Sequence, residues 1–78
     1  PVTTSTYELP QESYISLEVY NIKGQQVTSL ASKGQEAGKY TVQWDGTDLN
    51  GNKVSSGIYL YKLETSDFTN IRKMILMK

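Results

Sequence analysis

The chain reads as an all-β protein, an antiparallel β-sandwich of six or seven short strands, and three observations predict it. Apolar residues recur at every second position in Ile15-Leu17-Val19, Tyr40-Val42-Trp44 and Tyr59-Tyr61-Leu63, the period that sends side chains to alternate faces of an extended backbone. No window of about 11 residues carries an apolar period of 3.6, so helices are at most incidental. Turn residues such as Asn21 to Gly24, Asp45-Gly46, Asn50-Gly51, Ser56-Gly57 and Ser66-Asp67 punctuate the strands at short intervals, as sandwiches require.

Taken in order, Thr3 to Leu9 is rich in Thr and Tyr and stops at Pro10, whose missing donor suits a strand end or a sheet edge. Tyr14 to Tyr20 sets Ile15, Leu17 and Val19 against Ser16, Glu18 and Tyr20, the cleanest alternation in the chain. Asn21 to Gly24 then predicts a hairpin with Gly24 at positive φ, and the strand resumes over Gln26 to Leu30 on the apolar anchors Val27 and Leu30. Ala31 to Ala37 is polar and is expected to be a loop, with room for one helical turn. Lys39 to Trp44 is the next strand, Asp45 to Ser56 a turn-dense loop, and Gly57 to Leu63 another strand. Phe68 to Met77 holds Ile71, Met74, Ile75, Leu76 and Met77, too continuous for simple alternation. As an exposed edge such a strand would invite aggregation, so it calls for a partner.

With 78 residues, the chain has the length of one domain, 1–78. A domain of this size buries only about 60–65% of the surface of its unfolded chain, so its core must be thin and aromatic. Six Tyr, one Trp and one Phe meet that need. Eight Lys and Arg balance eight Asp and Glu, which gives no steering towards nucleic acid or a charged membrane. The charges are unevenly placed: Glu8, Glu12 and Glu18 precede the first lysine, while Arg72, Lys73 and Lys78 follow the last acid, Asp67. An antiparallel arrangement in which the two ends complement each other accounts for this. No apolar run approaches the roughly 20 residues of a membrane-spanning helix, so membrane insertion is not expected. The chain opens at Pro1 without an initiating Met or a signal-peptide core and is read as a piece of a longer polypeptide.

Chemistry is scarce. There is no His and no Cys, so nucleophile-base pairs and zinc sets cannot be assembled, and a non-enzymatic protein without cofactors is expected. Asp45, Asp48, Asn50 and Asn52 gather oxygen donors around a glycine turn. Their spacing departs from that of a calcium loop and the closing Glu is missing, which favours Asx turns. Trp44 is in phase with Tyr40 and Val42 and is expected to be buried. Tyr14 and Tyr20 lie on the opposite side of their strand from Ile15, Leu17 and Val19, so a sugar-stacking face would need Tyr59 or Tyr61 beside them.

Tyr7-Glu8-Leu9-Pro10, the run from Val19 to Val27, Ala37 to Tyr40, Trp44 to Asp48, Asn50-Gly51, Ser56 to Tyr59 and the terminal Lys73 to Lys78 together resemble the type A C-terminal sorting domain of cargo of the bacterial type IX secretion system. That fold family also includes the Ig-like domain of the flagellar hook-capping protein. The resemblance implies an Ig-like or fibronectin-III-like sandwich at the end of a larger secreted protein. It further implies a covalently linked N-terminal passenger, export across the outer membrane through the type IX translocon to the cell surface or beyond, and removal by a cell-surface sortase. The residues expected to be recognised by that machinery are Lys73, Met74, Ile75, Leu76, Met77 and Lys78. Family members often carry an Asn-Pro-Phe-Asn-Pro stretch before the first strand, of which only Pro1 could remain. The alternative from another class is an Ig-like spacer or interaction module, of the hook-capping kind or an accessory carbohydrate-binding one. Strand pairing between two copies into a homodimer is left open by the apolar last strand.

Overall fold

The computed structural model describes residues 3–77. Six strands run through them: β1 (Thr3–Leu9), β2 (Ser13–Asn21), β3 (Gln26–Gln35), β4 (Gly38–Trp44), β5 (Gly57–Glu64) and β6 (Thr69–Leu76). All pairings are antiparallel, and they form a four-stranded sheet in the order β3-β2-β5-β6 and a two-stranded sheet, β1-β4. Short crossovers at Pro10 to Glu12 and at Glu36-Ala37, and the long connection from Asp45 to Ser56, carry the chain between the sheets.

The alternating residues do what their period demands. Ile15, Leu17 and Val19 of β2, Trp44 of β4, Tyr59, Tyr61 and Leu63 of β5, and Leu9 and Leu76 from β1 and β6 form one buried cluster between the sheets. Trp44 is 1% exposed. Its ring meets Tyr59 edge-on at 5.1 Å, an arrangement that aligns the positive edge of one ring with the negative face of the other. Each polar tip is paired: Trp44 Nε1 donates to the Thr47 carbonyl at 2.9 Å and Tyr59 Oη to the Ser55 carbonyl at 2.6 Å. Tyr40 repeats the latter bond, donating to the carbonyl of Glu36. Both tyrosines thereby clamp a crossover to the strand it feeds, by a bond to the fourth residue upstream.

Three bonds tie β1 to the larger sheet. Tyr7 Oη, stacked on Tyr40, donates to Gln35 Oε1 at 2.6 Å, and Thr3 Oγ1 lies 3.0 Å from Tyr61 Oη while reaching Met74 Sδ at 3.7 Å.

The segment Ala31 to Ala37, expected as a loop, is strand as far as Gln35. It pairs residue for residue with Ser13 to Leu17 of β2. Its backbone bonds come from that neighbour, and as the outermost strand it can leave Ser32, Lys33 and Gly34 in solvent, so it needs no apolar alternation. Val27 and Leu30 are three residues apart, a spacing that a regular strand would split between faces. The register with β2 slips once at each of them, between Val19/Tyr20 and Leu17/Glu18, and these two bulges let both side chains pack against the core.

Candidate functional site

The residues expected to be recognised, Lys73 to Lys78, are split by the pleat of β6. Met74 and Leu76 point inward, Leu76 with no exposed surface, whereas Lys73, Ile75 and Met77 face solvent; Lys78 lies outside the described residues. Leu76 is seated over Gly46, where an added Cβ would come within 3.2 Å of its Cδ2. Among the described residues of this segment, Met74 and Leu76 are therefore taken up by the core side, and Lys73, Ile75 and Met77 remain available to a partner.

Those three belong to a larger surface. On the outer face of the four-stranded sheet Ile58 stands directly opposite Ile75, Leu60 opposite Lys73, and Lys62 opposite Ile71. Ile71 is 59%, Ile75 63% and Met77 73% exposed. Tyr20, Leu60, Lys62 and Ile71 line one shallow depression, and Ile22 and Ile58 another at the hairpin end. Sequence reasoning missed Ile22, Ile58 and Ile71 as surface residues. The signal was present for Ile58, which alternates out of phase with the inward Tyr59, Tyr61 and Leu63.

The tail cations are not matched by the front acids. Glu8 is paired across strands with Lys39 and Glu18 with Lys62, whereas Arg72 faces Tyr61 and Lys73 faces Leu60. The expected complementarity of the chain's two ends is thus corrected: β1 and β6 lie in different sheets and never pair.

The acidic loop folds on itself. Asp45 Oδ1 accepts bonds from the Thr47 backbone N–H and hydroxyl, and Asp48 Oδ1 from the N–H groups of Asn50 and Asn52. The Thr47 hydroxyl, with lesser help from its N–H, holds the Asp45 carboxyl below its ordinary range. A bridge between Thr47 and Lys53 closes the loop, and Leu49 N–H bonds to the Val27 carbonyl at 3.1 Å. These are the Asx turns that the spacing favoured. Among the described residues no group of three acidic side chains converges.

The tyrosines are dispersed. Tyr59 and Tyr61 are buried, Tyr14 is exposed with its hydroxyl 2.9 Å from Ser32, and Tyr20 donates to Glu18 Oε1 at 2.7 Å. That bond, more than its burial, raises the Tyr20 pKa, and the Lys62 ammonium lies 5.9 Å from the centre of its ring. The aromatic face that sugar stacking would require is absent from this part of the sheet, because Tyr59 and Tyr61 turn inward.

A sandwich with a buried indole, inter-sheet tyrosine clamps and self-satisfied loops defines an Ig-like β-module. The chain belongs to the FlgD Ig-like domain family, which it matches over residues 2–67. A solved structure, the crystal structure of FlgD from P. aeruginosa, is similar to 97% of the chain with a TM-score of 0.78 and 28% sequence identity. The chain spans 60% of that structure's length. No curated protein matches the sequence.

Proposed function

We propose that this chain is a non-catalytic Ig-like structural and interaction module of a longer extracellular polypeptide. The match to the FlgD Ig-like family over residues 2–67 carries the reading. The engagement of Asp45 and Asp48 by the turns of their own loop supports it. Prepared alone, the 78-residue chain should melt in a single transition, with the near-ultraviolet signals of Trp44 and its tyrosines lost together. A gradual melt, or a signal that survives in one sheet only, would remove the basis for a self-standing module.

A second reading is favoured by one observation. The family match stops at Asp67, before β6, and β6 is the apolar, cationic strand that the sorting-domain resemblance singles out. In this reading the type IX translocon and a cell-surface sortase engage the outward side chains Lys73, Ile75 and Met77, and the passenger precedes the module. Deleting the terminal residues would be a poor test, because it strips Leu76 from the core. With a secreted reporter fused in front, Lys73→Glu combined with Ile75→Asp should abolish surface display while Lys33→Glu does not. Unchanged display of the first variant would end this reading and leave the structural one standing.

A further inference from the structure

The four-stranded sheet has two edges, and they are protected differently. The β3 edge carries the two bulges at Val27 and Leu30 and an exposed polar run, Ser32, Lys33 and Gly34, devices that blunt an edge against pairing. The smaller sheet is also polar where it meets solvent, with Thr4, Thr6 and Glu8 on β1 and Lys39, Thr41 and Gln43 on β4. By contrast β6 pairs with β5 in unbroken register from Thr69 to Leu76, with neither bulge nor proline, and among the described residues no strand lies on its far side. Ile71 and Ile75 stand exposed along it.

Charge decides what this edge would accept. Arg72 and Lys73 are adjacent, so the pleat sends one guanidinium to the inner side and one ammonium to the outer side of the sheet. Neither has an acid among its cross-strand neighbours on β5: Tyr61 faces Arg72 with Tyr59 and Leu63 diagonal to it, and Leu60 faces Lys73 with Ile58 and Lys62 diagonal. A second β6 centred on these residues would bring a further Arg72 and Lys73 against the first pair, and like charges across strands are destabilising. A strand with two adjacent acidic residues, one for each side of the pleat, would pair both cations at once. β-branched residues flanking them would cover Ile71 and Ile75. We propose that the free edge of β6 is a docking site for an extended segment of another protein. That segment carries an adjacent pair of acidic residues within an uncharged, β-branched run and is bound by strand addition. This site serves a structural module as well as a sorting signal.

The probe is a labelled peptide, Val-Thr-Val-Glu-Glu-Val-Thr, titrated against the full 78-residue chain by fluorescence polarisation. Replacing its acidic pair by Gln-Gln should weaken binding roughly fivefold, the scale of two opposite-charge cross-strand pairs, and Lys-Lys should weaken it further. On the chain carrying Arg72→Glu and Lys73→Glu, both exposed positions, the order of the three peptides should reverse. Peptides N-methylated at every second residue should bind in one phase and fail in the other, because only one row of N–H groups faces β6. Equal binding of the three peptides, equal loss in both methylation phases, or no binding near 1 mM would overturn the proposal. So would sedimentation showing that the chain already dimerises through β6 in a manner broken by Arg72→Glu. Failure of peptide binding in a chain that melts cooperatively, and whose reporter fusion still loses display with Lys73→Glu and Ile75→Asp, removes the docking site alone.

Discussion

Gly46 is the residue at which sequence, backbone and core meet. Its φ of 81° is in the left-handed region, cheap for glycine and costly for a residue with a Cβ, and the same Cβ would press on Leu76 at 3.2 Å. Gly46→Ala should therefore destabilise the domain by about 1–3 kcal/mol, read as a lowered denaturation midpoint. Gly24→Ala, with a similar φ but open space around it, should cost less. Next to Gly46, Asp45 offers a pH signature. Its carboxyl is held below the ordinary range by the Thr47 hydroxyl, so its contribution is complete above the unfolded-state value, about pH 4, and is lost as pH falls through the lower folded value. Thermal melts from pH 6 downwards should show the wild type above Asp45→Asn at pH 6, the difference closing as acid protonates Asp45. A gap independent of pH would mean that the carboxylate charge is immaterial.

At the scale of elements, the strands that alternate cleanly were legible because each has one face in the core and one in water. β2, β4 and β5 are of this kind, and their inward residues came straight from the two-residue period. The second half of β3 was hidden for a physical reason: a polar edge strand is stabilised by its neighbour's backbone, which leaves no apolar trace in its own sequence. β6 was visible as a strand but not in its division of labour. Its apolar residues serve opposite ends, with Leu76 filling the core beneath Gly46 and Ile75 standing in solvent. The same division explains why side-chain substitution at Lys73 and Ile75, rather than truncation, separates recognition from folding.

For the molecule as a whole, the class of fold was legible and the pairing was not. Nothing in local sequence says that β1 must join β4 or that β2 must lie between β3 and β5, because those contacts depend on the crossovers. Once the pairing is known, the charge pattern acquires a meaning that the linear chain concealed. Glu8 and Glu18 stand across from Lys39 and Lys62, and Arg72 and Lys73 are left on the edge strand with no acid opposite. The surface candidates follow the same rule: Ile22, Ile58 and Ile71 looked like ordinary strand and turn residues until the register placed Ile58 beside Ile75 and Ile71 opposite Lys62.

The contact between Thr3 and Met74 has a topological consequence. A polypeptide whose first strand begins beside its last is nearly a ring, and the ring can be opened elsewhere. Joining the ends through a short flexible linker and cutting at Asn50-Gly51, in the solvent-facing Asx loop, should yield a circular permutant with native circular dichroism, since exposed loop tips tolerate new termini. A permutant that fails to fold would show that the Asp48 turn organises the sandwich rather than merely closing it. The adjacency of Thr3 and Met74 would equally let this unit be spliced into a host's surface loop without prying the host apart.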